Sequence, residues 1–267
     1  MPIEVQGGPL RVFTQDEFHD IDRAAMRIVF DVHNEFGRFL DEVIYKREIA
    51  ARCAQSGIPT RREVRIHVTH ESFHKEYSID AVFSHGVIYE MKAVEWLAPV
   101  HDAQALNYVL LAGTRHAKLV KFRTERVQWR FVSTRLTPET RKDVTIDDSQ
   151  WRVVDERSAQ LKQCMVDLIT DWGAFLACNL YRDALACVLG DKAPGIRRIP
   201  IYSDQQIIGD QEAHLSSERV AFTVTAVTES PGRMRTHLAR FLAHTRLDHL
   251  QWINLNHRRI EFITLSR

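Results

Sequence analysis

The stretch "GRFLDEVIYKREIA", starting at Gly37, returns as "GAFLACNLYRDALA" at Gly173. "RREVRIHV" at Arg61 is answered by "IRRIPIYS" at Ile196, "LLAGTRHAKLVKF" at Leu110 by "FLAHTRLDHLQWINL" at Phe241, and "RVQWRFV" at Arg126 by "RRIEFIT" at Arg258. Matches in one order at nearly constant spacing are not what chance similarity between amphipathic segments gives, and they commit the chain to two copies of one supersecondary pattern. The polar, aperiodic "RLTPETRKDVTIDDSQ" separates them. The expected organisation is a domain over residues 1–135, a linker over 136–150 and a second domain over 151–267.

Within the first copy, Thr14 and Glu17 have capping-box spacing, and Ile21, Ala25, Ile28, Val32 and Phe36 recur at helical period until Gly37. A second helix is expected from Leu40 to Ser56, stopped by Gly57 and Pro59, with Glu42, Tyr45 and Ile49 along one face. "EVRIHVTH", "KEYSIDAVF" and "VIYEMKAV" read as three antiparallel strands. A helix over Val100–Ala112 follows, and "AKLVKF" and "RVQWRFVST" end the copy as strands.

Three charged residues sit where these strands should be apolar. If Ser84, His85 and Gly86 form the turn, Phe83 faces Val87, and counting back sets Asp80 opposite Glu90, with Lys92 on the same face by the period of two. Two opposed carboxylates about 5 Å apart on a half-buried sheet repel unless a cation lies between them. Oxygen donors favour a hard ion, so Mg2+ or Mn2+ is the expected cofactor, with the Lys92 ammonium placed to orient water and stabilise charge on a phosphate oxygen. An ordinary surface ion-pair triad would use the same three residues. Glu42 on the preceding helix offers a further carboxylate, and Gln104 and Tyr108, four apart on the later helix, can point together at a phosphate.

Composition narrows the field further. Net charge is +1, so any hold on nucleic acid must come from local clusters such as "TRREVR" and "GTRHAKLVKFRTER" rather than from a general polyanion-binding surface. The four cysteines, Cys53, Cys164, Cys178 and Cys187, lack C-x-x-C spacing and are expected as reduced core thiols. The opening residues lack a basic-then-apolar segment and no apolar run approaches the ~20 residues of a membrane helix, so a cytoplasmic protein without a membrane partner is expected. His67, His70 and His74 do not share a face and read as solvated turn residues. No nucleotide-cradling G-x-x-x-x-G-K-[ST] and no G-x-S-x-G occurs, which argues against a built-in motor and against a serine hydrolase.

From about Ile28 to Thr134, "FGRFLDEVIYKREIA", "YSIDAVFSHGVIYEMKAVEWLAPVHDAQALNYVLLAG" and "AKLVKF" together resemble the GxxExxY proteins, a bacterial branch of the PD-(D/E)xK nuclease superfamily. Glu42 and Tyr45 stand in the signature, while Phe39 replaces its glycine. The resemblance implies an α/β fold of αβββαβ order with a central mixed sheet and a metal-dependent phosphodiester hydrolase acting on nucleic acid, DNA being the usual substrate. It carries over Asp80, Glu90 and Glu42 as metal ligands, Lys92 as the catalytic lysine, and Gln104, Tyr108 and Tyr45 on the substrate side. The second copy has Cys178 for Glu42, approximately Glu212 for Asp80, Thr223 and Thr225 for Glu90 and Lys92, and Arg235 for Gln104, so it reads as a degenerate nuclease-like domain. Two such domains are expected to form an internal pseudo-dimer in a monomeric protein. A non-cleaving module that binds nucleic acid or protein is the competing expectation.

Overall fold

The capping box at Thr14 forms as its spacing predicts. In a computed structural model describing residues 2–190 and 195–267, the Glu17 carboxylate accepts the Thr14 N–H at 2.9 Å and the Thr14 hydroxyl accepts the Glu17 N–H at 3.3 Å. This opens α1 (Gln15–Phe36), whose first turn also carries Asp16 against the helix dipole. Ahead of it lies a short strand not expected from the sequence, β1 (Ile3–Val5). After it come α2 (Glu42–Gln55), β2 (Thr60–His70), β3 (Phe73–Phe83), β4 (Val87–Lys92), α3 (Pro99–Leu111), β5 (His116–Lys121) and β6 (Gln128–Ser133). These elements make the first of two units, the chain through Thr69 together with Lys75–Pro138.

Its sheet has the order β1-β2-β3-β4-β5-β6, with β4 and β5 parallel and the pairs β1–β2, β3–β4 and β5–β6 antiparallel. Helices α1 and α2 pack together and against β4, while α3 packs against β5 and β6. The core joins Phe18, Val29 and Val32 of α1 and Tyr45 and Ile49 of α2 to Ala81, Phe83, Val87, Tyr89, Met91 and Phe122. Each such side chain removed from water contributes roughly 1.5–3 kcal/mol. Central strands β4 and β5 are buried on both faces, which explains why their sequences lack a simple polar alternation. Lys118 on β5 is tolerated there because its ammonium lies 2.7 Å from Asp22 of α1 and 3.8 Å from the Trp129 ring centroid.

The turn between β3 and β4 has the three residues that its sequence predicts, and it depends on glycine. A Cβ at Gly86 would lie 2.1 Å from the Arg11 carbonyl oxygen, so the segment before α1 can cross the turn only where no side chain intervenes.

The second unit comprises His70–His74 and Glu139–Arg267. Its elements are β7 (Thr145–Gln150), α4 (Glu156–Trp172), α5 (Cys178–Val188), β8 (Gly195–Ser203), β9 (Gln206–Ser217), β10 (Val220–Thr225), α6 (Pro231–Ala243), β11 (His249–Asn256) and β12 (Arg259–Ser266). The segment 136–150 was expected to be a linker, but its last six residues are β7, paired parallel to β12. The sheet order is β7-β12-β11-β10-β9-β8, with β10 and β11 parallel. Ala213, Leu215, Ala221, Leu242, Trp252 and Ile263 belong to its core. Thus both units run strand, two helices, three strands, helix, two strands. The leading strand pairs at the β2 end of the first sheet and at the opposite end, beside β12, in the second.

One local structure recurs in detail. Gly37 and Gly173, both at positive φ (73° and 77°), end α1 and α4 and donate to the carbonyls of His33 and Ile169 at 2.8 Å. The Tyr45 hydroxyl donates to the Gly37 carbonyl at 2.5 Å and accepts from the Leu40 N–H at 3.3 Å; Tyr181 makes the same two bonds with Gly173 and Leu176, at 2.6 and 3.4 Å. The cysteines are free as expected, although Cys187 is exposed rather than in the core. His70, expected in a solvated turn, is buried.

Candidate active site

The β3–β4 ladder pairs Phe83 with Val87, Val82 with Ile88 and Ala81 with Tyr89, which is the predicted register. Ala81, Phe83, Val87, Tyr89 and Met91 enter the core beside α1 and α2, so the alternating set, Asp80, Glu90 and Lys92, faces the other way. One residue beyond the last recorded pair, the Asp80 carboxylate itself accepts the Met91 N–H at 2.8 Å. The strands therefore part where the acids lie, and the side chain replaces a main-chain partner.

Glu90 is 1 % exposed. Its Oε1 lies 2.5 Å from the Lys92 ammonium, and its Oε2 is buried with no hydrogen-bond partner. Glu42, at the start of α2, reaches the same place: one oxygen accepts the Ala93 N–H at 3.1 Å and the other lies 2.6 Å from the Lys46 ammonium. Lys46 is also 2.6 Å from Asp80, and it is the site residue that sequence reasoning missed. A lysine four after a glutamate reads as an ordinary helical ion pair, and nothing local announces that its ammonium also spans to a strand acid.

The electrostatics follow from this crowding. Burial raises the Glu90 carboxyl to about 7, the Asp80 charge adds to the effect, and Lys92 and Lys46 oppose it. Burial likewise raises Asp80, against Lys46, Lys92 and the Met91 N–H. Burial also works against the Glu42 carboxylate, but Lys46, the Ala93 N–H and Lys92 together outweigh it and lower its pKa. Tyr108 of α3 is pushed up to about 12 by burial, with Gln104 opposing and Glu90 and Asp80 adding to the rise, so its phenol feels both strand acids. Gln104 donates to the Tyr108 oxygen at 2.8 Å. The structure thus brings together Asp80, Glu90, Lys92 and Glu42, with Tyr108 at their border and Gln104 attached through it. Tyr45 requires a correction: it is fully buried, stacked on Phe122 at 4.3 Å, and its hydroxyl is used within the Gly37 turn, so it positions α2 rather than touching substrate.

A buried Glu90 has a consequence for stability. A native carboxyl near pKa 7 keeps a proton that the unfolded chain, near 4.5, has released. Stability therefore falls as pH rises through that window and recovers below it. In cation-free buffer Glu90→Gln should stabilise the first unit by about 2–3 kcal/mol near pH ~8 and change little near pH ~4.5. Urea unfolding at the two pH values measures this, and an equal effect at both would show that the carboxyl is not strained.

The donor chemistry fits a hard divalent cation: all-oxygen ligands on Asp80, Glu90 and Glu42, and one buried oxygen of Glu90 without a partner. In the structure the acids are held by ammonium groups, and among the described residues no three acidic, histidine or cysteine side chains close into a ready-made cage.

In the second unit, counting from the pair Phe222–His214 sets Ala213 opposite Thr223. The position matching Asp80 is therefore Ala213 and not Glu212; the two-residue turn before Val220 alone would set His214 there, and the register shift between Val220 and Ala221 moves it to Ala213. Thr225 and Asn254, paired across β10 and β11 as Lys92 and Lys121 are across β4 and β5, form a hydrogen-bonded network that ends on the Glu261 carboxylate. Thr225 donates to Asn254 at 2.8 Å and accepts from the Trp252 indole at 2.8 Å.

In the first unit, two acids and a lysine thus gather on a mixed sheet beside its parallel pair β4–β5, where the antiparallel neighbour β3 diverges. Residues 19–132 match the family model of the PD-(D/E)XK nuclease superfamily, a match that lies in the N-terminal half and spans less than half of the 267-residue chain. No curated protein and no solved structure matches the chain. Among the described residues, no helix is long and apolar enough to cross a membrane.

Proposed function

We propose that the first unit is a metal-dependent nuclease of the GxxExxY branch, hydrolysing phosphodiester bonds in nucleic acid, DNA foremost. The observation that carries this reading is the buried Glu90 carboxylate with an unpartnered oxygen, beside Asp80 and the Lys92 ammonium, inside the stretch that matches the nuclease model. A bound Mg2+ or Mn2+ would polarise the scissile phosphate and acidify the attacking water. Asp80 and Glu90 would hold it, with Glu42 assisting. Lys92 orients the water and stabilises charge on the phosphate oxygen, and the Gln104 amide with the Tyr108 phenol positions the phosphate.

The second unit is a degenerate copy of the first. Its shared element order and the recurring tyrosine–glycine turn support common descent, and Cys178, Ala213, Thr223 and Thr225 in place of the acids and lysine support loss of the chemistry. The test is incubation of the whole chain with labelled single- and double-stranded DNA in Mg2+, Mn2+ or EDTA. Degradation with either cation and none in EDTA is expected. Strand binding without degradation in any cation would replace the nuclease by a non-cleaving binding module.

A further inference from the structure

The first unit has a cleft of about 680 Å3 whose walls are segments that adjoin the site residues along the chain. Arg38 and Phe39 belong to the turn that delivers Glu42. Trp96 lies in the loop leaving β4 after Lys92, and Arg123 and Arg126 in the loop leaving β5. These loops follow the carboxyl ends of the parallel pair β4–β5, the place where open α/β sheets receive ligands.

Two large aromatic rings project into this cleft although nothing in the fold calls for them there. Phe39 is 78 % exposed and Trp96 74 % exposed, the two most exposed large apolar side chains described. The Arg38 guanidinium lies 5.0 Å from the Phe39 ring centroid. Among the described residues Arg38, Arg123 and Arg126 make no ion pair, so their charges are available to an anion. Glu95 and Glu125 also line the cleft. Three arginines against two glutamates leave only a modest positive excess. A duplex, which offers mainly phosphates, gains little from that, whereas unpaired bases can stack on the rings while the arginines meet their phosphates.

We propose that this cleft is a single-strand platform: Phe39 and Trp96 stack on unpaired bases, and Arg38, Arg123 and Arg126 track the backbone of a strand whose next phosphate lies at Asp80, Glu90 and Lys92. The substrate class is then an unpaired strand or the frayed end of a duplex. The last clause rests on the nuclease reading; the binding does not. Phe39, which stands where the resembling family has glycine, acquires a role in holding substrate.

The experiment is fluorescence anisotropy of the whole chain carrying Lys92→Ala, in EDTA, with labelled oligo-dT, oligo-rU and a blunt duplex, each of about 20 nucleotides or base pairs. Single strands are expected to bind about tenfold or more tighter than duplex. Phe39→Ala and Trp96→Ala should each weaken single-strand binding by about tenfold and leave duplex binding unchanged, with thermal melts unaltered because both side chains are exposed. Preference for dT or for rU supports the proposal equally and names the sugar. Equal affinity for duplex and single strands, or an undiminished affinity in the double variant, overturns it. A protein that binds strands through these rings yet never cuts keeps the platform and loses the nuclease; one that cuts duplex at full rate without both rings keeps the nuclease and loses the platform.

Discussion

Lys92→Ala is expected to lower cation-dependent DNA cleavage by on the order of 10²–10³-fold, the effect of removing one preorganised group that meets transition-state charge. Its ammonium is mostly withdrawn from water and lies 2.5 Å from Glu90 Oε1. Removing it takes away the donor to phosphate and also leaves Glu90, whose other oxygen already lacks a partner, with a stronger tendency to keep its proton. Lys92→Arg should restore little, because a planar fork cannot stand in for a compact ammonium in a space shaped for one. Thr225→Ala, at the corresponding place in the second sheet, should leave cleavage unchanged. Rates measured on labelled DNA with all three variants decide the matter; wild-type turnover by Lys92→Ala would remove the lysine from the chemistry.

Asp22→Ala should destabilise the first unit by about 3–5 kcal/mol, because it strands a buried cation. Asp22 is the counter-charge of Lys118, at 2.7 Å, and its other oxygen accepts the Tyr89 hydroxyl. The Trp129 ring is a second, weaker partner for the ammonium and cannot replace a carboxylate. Asp22→Leu with Lys118→Met, which removes both charges, should recover much of the loss. Urea unfolding of the single and double variants gives the coupling. A loss below about 1 kcal/mol in Asp22→Ala would mean that water reaches the pair.

The parts of this site that were legible in the sequence are those governed by short-range rules. A three-residue turn and a period of two place Asp80, Glu90 and Lys92 on one face, and four-residue helical spacing joins Gln104 to Tyr108. Lys46 was not legible, since its partner Asp80 is distant in the chain. The role of Tyr45 was misread because a tyrosine in a family signature looks chemical, whereas its hydroxyl closes a backbone turn. Strand β7 escaped notice because "TIDDSQ" is polar and at an edge, where pairing with β12 rather than apolar alternation defines a strand. The Asp80 equivalent fell one position from the expected Glu212, because a two-residue turn combined with a register shift after Val220 sets Ala213 there, and no residue pattern announces that combination.

The opposite seating of the leading strands decides which rims of the two sheets stay open to other molecules. Among the described residues the leading strands β1 and β7 form one rim of each sheet, and the opposite rims are β6 and β8. Both rims are chemically blunted: β6 carries Arg130, tied to Asp102, and β8 carries Arg197 and Arg198 beside Pro200, which has no N–H to offer. Another chain laid along either rim would have to bury guanidinium charge, or meet a gap in the ladder, so amyloid-like growth from these borders is discouraged.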